Sequence, residues 1–213
     1  TLRTLWNVIR IPMLYKKLIQ PDDFIMITVF SVRCLSLLCL CGDMEEQRRH
    51  APVIFLDIDG VLNRTRSATH IRVDDDLVAR LRQLLADTGA VIVLSTFWRH
   101  FQEYIAYVLH RHGVPAGVVI GRTPGKSDAS RLSADAGDTS NYANRAAEIR
   151  NWLAAHPTVT RFVIIDDRSS ASDEGLAPRF VQTDAAVGLT DAAAARCAAL
   201  LTRDIGADLG SVD

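Results

Sequence analysis

The sequence predicts an α/β domain in which a mainly parallel sheet is covered by helices on both faces. Short apolar runs alternate with longer segments of helical periodicity between residues 53 and 201, a pattern typical of repeated strand–helix units. The apolar runs contain few polar positions, as expected for strands that are buried on both faces. Three of these runs end in acidic or hydroxyl residues, at the edge of the sheet where ligands bind in such folds.

Each element is predicted from local pattern. Leucines at helical spacing and a closing Gly89 indicate the first helix, and the run Asp74, Asp75, Asp76 suits its positive N-terminal end. The segment from Gly121 to Asn141 is rich in Gly, Ser and Asp and predicts a loop. The elements are a strand from Val53, a helix over 74–86, a strand over 91–94, a helix over 100–112, a strand over 118–120, a helix over 141–155, strands over 162–165 and 180–182, and a helix over 191–201.

Composition sets the frame for the function. A hydrophobic content of 48% suffices for a sizeable core, and the net charge of −1 predicts no global attraction to nucleic acid or membrane. Three of the four cysteines, Cys34, Cys39 and Cys41, lie near the N-terminus, and Cys197 is the fourth. Disulfides are therefore not expected to hold the catalytic region, which favours an intracellular, cytoplasmic or nuclear location.

The first fifty residues differ from the rest of the chain. Residues 24–41 are nearly all apolar, but this run is short for a membrane span and has Arg33 near its middle. Three interpretations stay open: a membrane anchor preceded by Lys16 and Lys17, an upstream segment foreign to a natural protein that starts at Met44, and an amphipathic helix. The sequence predicts a hydrophobic extension over 1–50 and a catalytic domain over 51–213.

The end of the first strand carries the strongest chemical signal. Asp57 and Asp59 are one residue apart, so strand geometry directs both side chains to the same face, and Gly60 permits the turn that follows. Two carboxylates this close repel each other unless a cation lies between them or one keeps a proton. The pair therefore predicts a magnesium ion together with a nucleophile and its acid/base partner.

Three further segments complete a set. A second strand ends in Ser95 and Thr96, a third ends in Asp166 and Asp167, and a helix between them has Arg145 in its first turn. In this order the motifs resemble the haloacid dehalogenase-like (HAD) phosphohydrolase superfamily, over roughly residues 52–203. The resemblance implies a Rossmann-like three-layer sandwich and a phosphatase that forms an aspartyl-phosphate, because the dehalogenases of this superfamily lack the second aspartate.

The resemblance implies roles for the residues at the first two strand ends. Asp57 would be the nucleophile and a magnesium ligand. Asp59 would protonate the leaving group and then deprotonate water, and its backbone carbonyl would bind the metal. Ser95 would donate to a phosphate oxygen, with the Thr96 amide as a second donor.

The resemblance also implies how the metal site is completed. Asp167 is the expected direct ligand, while Asp166 would hold the cation of the third motif, and Asp173 is a weaker candidate. Hard oxygen ligands without a nearby His/Cys cluster favour magnesium. The family usually has a lysine as its third motif, and here either Arg145 or Lys126 could fill that role; the helix position and spacing favour Arg145.

Cations and aromatic residues follow the strand ends. A ring of positive charge at the mouth of the site suits an anionic substrate with more than one phosphate. Phe97 and Trp98 either stack a base or pack internally, and packing is favoured. The ring consists of Arg64, Arg66, Arg99, Arg122, Lys126 and Arg168. The predicted substrate-binding residues are Thr96, Arg99, Lys126, Arg64 and Gly60.

The spacing after the first motif limits the substrate class. Only about eleven residues separate Asn63 from the helix at Asp74, so no cap domain is expected there. Segments around Ser95, Arg145 and Gln182 are similar to the HAD domains of Swiss Army knife RNA-repair-like proteins, which implies phosphate removal from RNA or other nucleic-acid ends. Two alternatives stay open: a catalytically idle module that binds a phosphorylated or nucleic-acid partner, and a small-molecule nucleotidase. No protein partner is predicted.

Overall fold

The computed structural model describes residues 50–66, 68–125, 145–173 and 175–203. Predictions for the N-terminal extension, for Lys126 and for most of the loop over 121–141 fall outside these ranges. Within them, no helix combines the length and the hydrophobicity that crossing a bilayer requires.

A five-stranded parallel sheet in the order β3-β2-β1-β4-β5 forms the centre of the domain. In β1, Leu56 is level with Leu94 of β2 and with Ile165 of β4. The residues that follow these three positions therefore emerge side by side at one edge. The strands are β1 (Val53–Leu56), β2 (Val91–Leu94), β3 (Val119–Arg122), β4 (Phe162–Asp166) and β5 (Phe180–Gln182).

Helices cover both faces of the sheet. Alternate residues of β1 point to opposite sides: Ile54 and Leu56 join the core beneath α1, α2 and α4, whereas Val53 and Phe55 face α3. This arrangement confirms the predicted α/β three-layer sandwich with a parallel sheet. The helices are α1 (Asp75–Thr88), α2 (Gln102–Arg111), α3 (Arg145–Ala155) and α4 (Asp191–Leu201).

The element bounds differ slightly from the predicted ones. The second predicted helix begins as a short 3₁₀ turn, Arg99–Phe101, before α2, and β3 extends two residues further than predicted, to Arg122. Asp74 precedes α1 in extended conformation, but its side chain makes no capping hydrogen bond to the helix. Arg64 instead contacts Asp74 and Asp76, because its guanidinium reaches both carboxylates from the loop after β1.

The described residues between β1 and α1 contain no cap. These residues, 57–66 and 68–74, form turns and no helix or strand. The backbone amide of Asp74 donates to the carbonyl of Leu62, which closes this segment against the domain. The edge of the sheet at Asp57 therefore lacks a domain inserted at this point.

Candidate active site

Three carboxylates meet at the carboxyl ends of the two central strands. Asp57 follows β1, Asp166 ends β4 and Asp167 comes next, and one carboxylate oxygen of each lies within 4.8 Å of those of the other two. All three residues are buried. Carboxylates at this spacing are suitable ligands for a hard divalent cation, which would offset their mutual repulsion. The cluster could therefore hold a metal ion, while Asp173, a weaker candidate, is not part of it.

Arg145 lies against two of these carboxylates. Its Nη1 is 2.8 Å from Oδ2 of Asp57 and also contacts Oδ2 of Asp166. The side chain comes from the first residue of α3, and the packing of that helix fixes its position: Trp152 meets the edge of Phe55 with ring centroids 5.3 Å apart. Arg145, the third-motif cation that the sequence favoured, therefore lies beside both Asp57 and Asp166, and its contact with Asp166 is the predicted one.

Burial and mutual repulsion change the proton affinities of this cluster. Burial raises the pKa of Asp166, with a further rise from the charge of Asp57, although Arg145 acts in the opposite direction. Burial and Asp57 also raise the pKa of Asp167. Burial alone would lower the pKa of Arg145, but Asp57 and Asp166 outweigh it and the net shift is upward. A bound cation would oppose the upward shifts of the two carboxyl groups.

Gly60 makes the close approach of β1 and β4 residues possible. Its φ is +71°, and an added Cβ would lie 2.8 Å from the Cβ of Asp167. Any side chain here would therefore combine backbone strain with a steric clash. The Gly60 carbonyl accepts a hydrogen bond of 2.8 Å from Oγ1 of Thr183, which ties the turn to the end of β5. The structure thus gives Gly60 a shaping role next to the carboxylate cluster.

Asp59 is held separately from the carboxylate cluster. Its Oδ1 accepts a hydrogen bond of 2.8 Å from Nδ2 of Asn63. Its Oδ2 accepts one of 3.1 Å from the indole Nε1 of Trp98 and one of 3.3 Å from the amide of Ala68. Among the described residues, the carboxylates that are spaced to bind one metal ion do not include Asp59. A contact between Asp59 and that ion would therefore be made by its backbone carbonyl. This arrangement fixes the direction of the carboxylate.

Asn63 and Trp98 both hold the Asp59 carboxylate, and the sequence did not predict either contact. Asn63 ends the motif after β1, only four residues from Asp59. This closeness in sequence was the available signal for a contact between the two side chains. Trp98 packs against the core as expected, but its indole nitrogen also reaches Asp59. That contact joins residues 39 positions apart, so it depends on the pairing of β1 with β2.

Ser95 presents an unsatisfied hydroxyl. The residue is 1% exposed, and within the described part of the chain its Oγ has no hydrogen-bond partner. A buried hydroxyl without a partner costs free energy, and such groups call for an explanation such as a missing ligand. The next residue, Thr96, is also buried. Both follow β2, beside Asp57.

Two arginines of the predicted ring, Arg99 and Arg64, form ion pairs with carboxylates outside the Asp57 cluster. Arg99 is 1% exposed; its Nη1 donates to the Thr96 carbonyl at 3.1 Å and its Nη2 to Glu148 Oε1 at 2.7 Å. Glu148 thus compensates its charge within the fold, and the predicted substrate contact of Arg99 stays a prediction. Arg64 is exposed but spans Asp74 and Asp76, which compensate its charge.

Two other arginines, Arg66 and Arg168, line a polar depression next to Asp167, whereas Arg122 is not part of its lining. This depression has a volume of about 450 Å³. Nε of Arg168 lies 3.9 Å from Oδ1 of Asp167, and Arg66 is exposed on the opposite loop. Arg122 donates to the His100 carbonyl at 3.2 Å. The depression is lined by Arg66, Asp167, Arg168, Ser169, Ser170 and Gln182.

The parallel sheet, the carboxylate cluster and the cation beside it together define a HAD-type phosphohydrolase domain. The family described as the HAD domain in Swiss Army Knife RNA repair proteins matches residues 53–194, and the chain belongs to this family. No curated protein and no solved structure shows a significant match. The family match confirms the resemblance that the four motifs indicated.

Proposed function

We propose that the chain is a magnesium-dependent phosphomonoesterase that works through an aspartyl-phosphate and acts on RNA or other nucleic-acid ends. One observation carries the proposal: three carboxylates, those of Asp57, Asp166 and Asp167, lie together at adjacent strand ends. The Arg145 cation from the start of α3 contacts two of them, and the unsatisfied Ser95 hydroxyl follows the neighbouring strand β2. This is a set of anion-binding and nucleophilic groups around one small volume.

The first step is attack of an Asp57 carboxylate oxygen on phosphorus. The bond from phosphorus to the leaving oxygen breaks, and Asp59 gives its proton to that oxygen. Ser95 Oγ and the Thr96 amide donate to non-bridging phosphate oxygens, and Arg145 compensates negative charge beside Asp57. Magnesium, bound by Asp57, Asp167 and the Asp59 carbonyl, would supply further positive charge next to the phosphate.

The second step releases phosphate. Asp59 takes a proton from water, whose oxygen attacks the phosphorus of the aspartyl-phosphate. The bond to Asp57 breaks, and the carboxylate is restored together with inorganic phosphate. Asn63 and Trp98 keep the Asp59 carboxylate aimed at the leaving oxygen and then at the water, because they occupy its other lone pairs.

Three observations support a nucleic-acid end as the substrate. The family description refers to RNA repair proteins. Arg66 and Arg168 border the depression beside Asp167, where a second phosphate of a polyanionic substrate would find partners. The absence of a cap between β1 and α1 in the described residues leaves room for a macromolecular substrate at that side.

The test is phosphate release from short RNA and DNA strands that carry a 5′- or a 3′-phosphate, with and without magnesium. We expect metal-dependent release that Asp57→Asn abolishes. Asp173→Asn is the matched control, because it removes a carboxylate of the same region that lies outside the cluster. Magnesium-independent release, or release retained by Asp57→Asn, contradicts the mechanism. Binding of the strands without any release would favour a catalytically idle module instead.

A further inference from the structure

Aromatic rings are exposed along the segment that follows β2. Phe97 is 40% exposed and Phe101 56%, and Tyr104 and Tyr107 on α2 are 53% and 57% exposed. We call Phe97, Trp98 and Phe101 the aromatic surface. Exposed rings of this size, grouped together, are unusual on a protein surface unless they meet a ligand or a partner.

The aromatic surface begins at the general acid of the proposed reaction. Trp98 Nε1 donates to Asp59 Oδ2 at 3.1 Å. The Trp98 ring lies 5.3 Å from that of Phe97, nearly perpendicular to it, and 6.4 Å from that of Phe101. A chain of ring contacts therefore runs from the acid to solvent.

The direction of proton transfer determines what meets these rings. Asp59 can protonate the leaving oxygen only if that oxygen lies within hydrogen-bonding reach of its carboxylate. The rest of the leaving group then extends past the side chains that hold Asp59. One of these is Trp98, whose ring contacts those of Phe97 and Phe101. In a nucleotide, the base is one sugar away from the ester oxygen, and every base offers a flat face for stacking.

The surface is held in place before any ligand binds. Arg99, in the middle of the segment, is buried and donates to Thr96 on one side and to Glu148 of α3 on the other. Gly125 leaves space for this guanidinium, since a Cβ there would lie 1.8 Å from Nη2 of Arg99. Rings presented by a fixed backbone lose little entropy when a base stacks on them.

We propose that the terminal nucleobase next to the phosphate stacks on Phe97 and Phe101, so the site selects ends whose last base is unpaired. This inference rests on the proposed function, because it takes the side of Asp59 as the leaving-group side. The site would select strands whose terminal base has a free face, whatever that base is. The phenylalanine rings have no hydrogen-bond donors or acceptors that could distinguish one base from another.

Binding to Asp57→Asn of the full chain tests the proposal without requiring turnover. The probes are fluorescein-labelled single-stranded RNAs with a terminal phosphate at the unlabelled 5′ or 3′ end, each in two forms, with a normal or an abasic terminal nucleotide. Fluorescence anisotropy in magnesium gives the Kd. We expect Phe97→Leu and Phe101→Leu each to weaken binding of the normal strand by at least about fivefold and to leave the abasic strand unchanged.

Tyr107→Leu is the matched control. It removes a ring as exposed as that of Phe101 from α2, outside the aromatic surface, and we expect it to change neither Kd. Unfolding midpoints of all variants check that the fold is kept. Equal binding of the normal and abasic strands by the Asp57→Asn protein, or equal losses on both, overturns the stacking proposal.

The proposed function can fail separately. Hydrolysis of glycerol phosphate by the unsubstituted chain is independent of stacking, because this substrate has no ring. If glycerol phosphate is hydrolysed but abasic ends bind as well as normal ends, the stacking proposal is wrong and the proposed phosphatase activity is supported. If the strands bind tightly, Phe97→Leu abolishes this binding and no substrate is hydrolysed, the proposed phosphatase activity is wrong and the stacking proposal is supported.

Discussion

The mouth of the site has two halves that are built in different ways. The acidic half, formed by Asp57, Asp166, Asp167 and Arg145, consists of buried charges at strand ends and at a helix start. The aromatic half, the surface defined above, presents the exposed rings of Phe97 and Phe101 beside the partly buried Trp98, all from the segment between β2 and α2. Trp98 joins the halves through its hydrogen bond to Asp59, which stands between them.

This difference predicts that the acidic half affects the stability of the fold, while the aromatic half affects the selectivity for substrates. Charges in a buried cluster are costly unless each is compensated, so a change in the acidic half alters the free energy of unfolding and metal binding. Exposed rings contribute little to folding, because much of their surface remains in water. Substitutions of Phe97 and Phe101 should therefore change the Kd for substrates and leave the fold unaffected.

The largest effect is expected from Arg145→Met. This change leaves Asp57 and Asp166 buried beside each other without their shared cation, and should lower the free energy of unfolding by about 3–5 kcal/mol without magnesium. Urea unfolding with and without magnesium measures this loss. Magnesium should restore part of it, and Arg145→Lys, which keeps the charge, should lose less. An unchanged unfolding midpoint in Arg145→Met would contradict the electrostatic account of this half.

A second effect concerns the turn after β1. Gly89 has φ +63° and open space around it, whereas Gly60 has φ +71° and lies against Asp167. Gly89→Ala therefore measures backbone strain alone, about 1–2 kcal/mol. Gly60→Ala should cost at least about twice as much and also weaken magnesium binding, because it displaces Asp167. Calorimetric magnesium titration of both variants checks this difference, and equal affinities would show that the Gly60 contact does not shape the site.

The pH dependence of the acidic half should depend on the metal. Asp166 and Asp167 have raised pKa values in the folded chain, compared with an ordinary value of 3.8. Without metal, their contribution to stability is complete below pH 3.8 and is lost as the pH rises through the raised values. Magnesium binding requires deprotonation, so its stabilisation should grow over the same range. Thermal unfolding at about pH 5 and about pH 8, with and without magnesium, tests this sign; the opposite trend would contradict it.

The smallest effect is expected where the two halves meet. Trp98→Phe keeps most of the packing but removes the hydrogen bond to Asp59, so kcat should fall about tenfold on a substrate with a poor leaving group. An aryl phosphate with a good leaving group needs little protonation and should be nearly unaffected. A similar loss on both substrates would mean that Trp98 acts through packing and not through the acid.

The acidic half could be predicted from sequence because its residues follow recognisable strands. An apolar run specifies where a buried strand ends, and parallel strands bring their carboxyl ends to one edge. Asp57, Ser95 and Asp166 were found in this way. The same reasoning does not predict the partners of the arginines, because a long side chain can turn in any direction. Arg99 pairs with Glu148 in the interior, and Arg64 pairs with α1. The direction of each side chain depends on which carboxylates the fold places near it.

The sequence by itself determined the class of fold and the chemical character of the strand ends, since both depend on local pattern and on the period of two in a strand. Tertiary structure alone decided which groups touch. It placed Arg145 between Asp57 and Asp166, gave Asp59 the indole of Trp98 and left the Ser95 hydroxyl without a partner in the described residues. The physical reason is that these contacts join distant segments, and their geometry is set by how the helices and loops pack on the sheet.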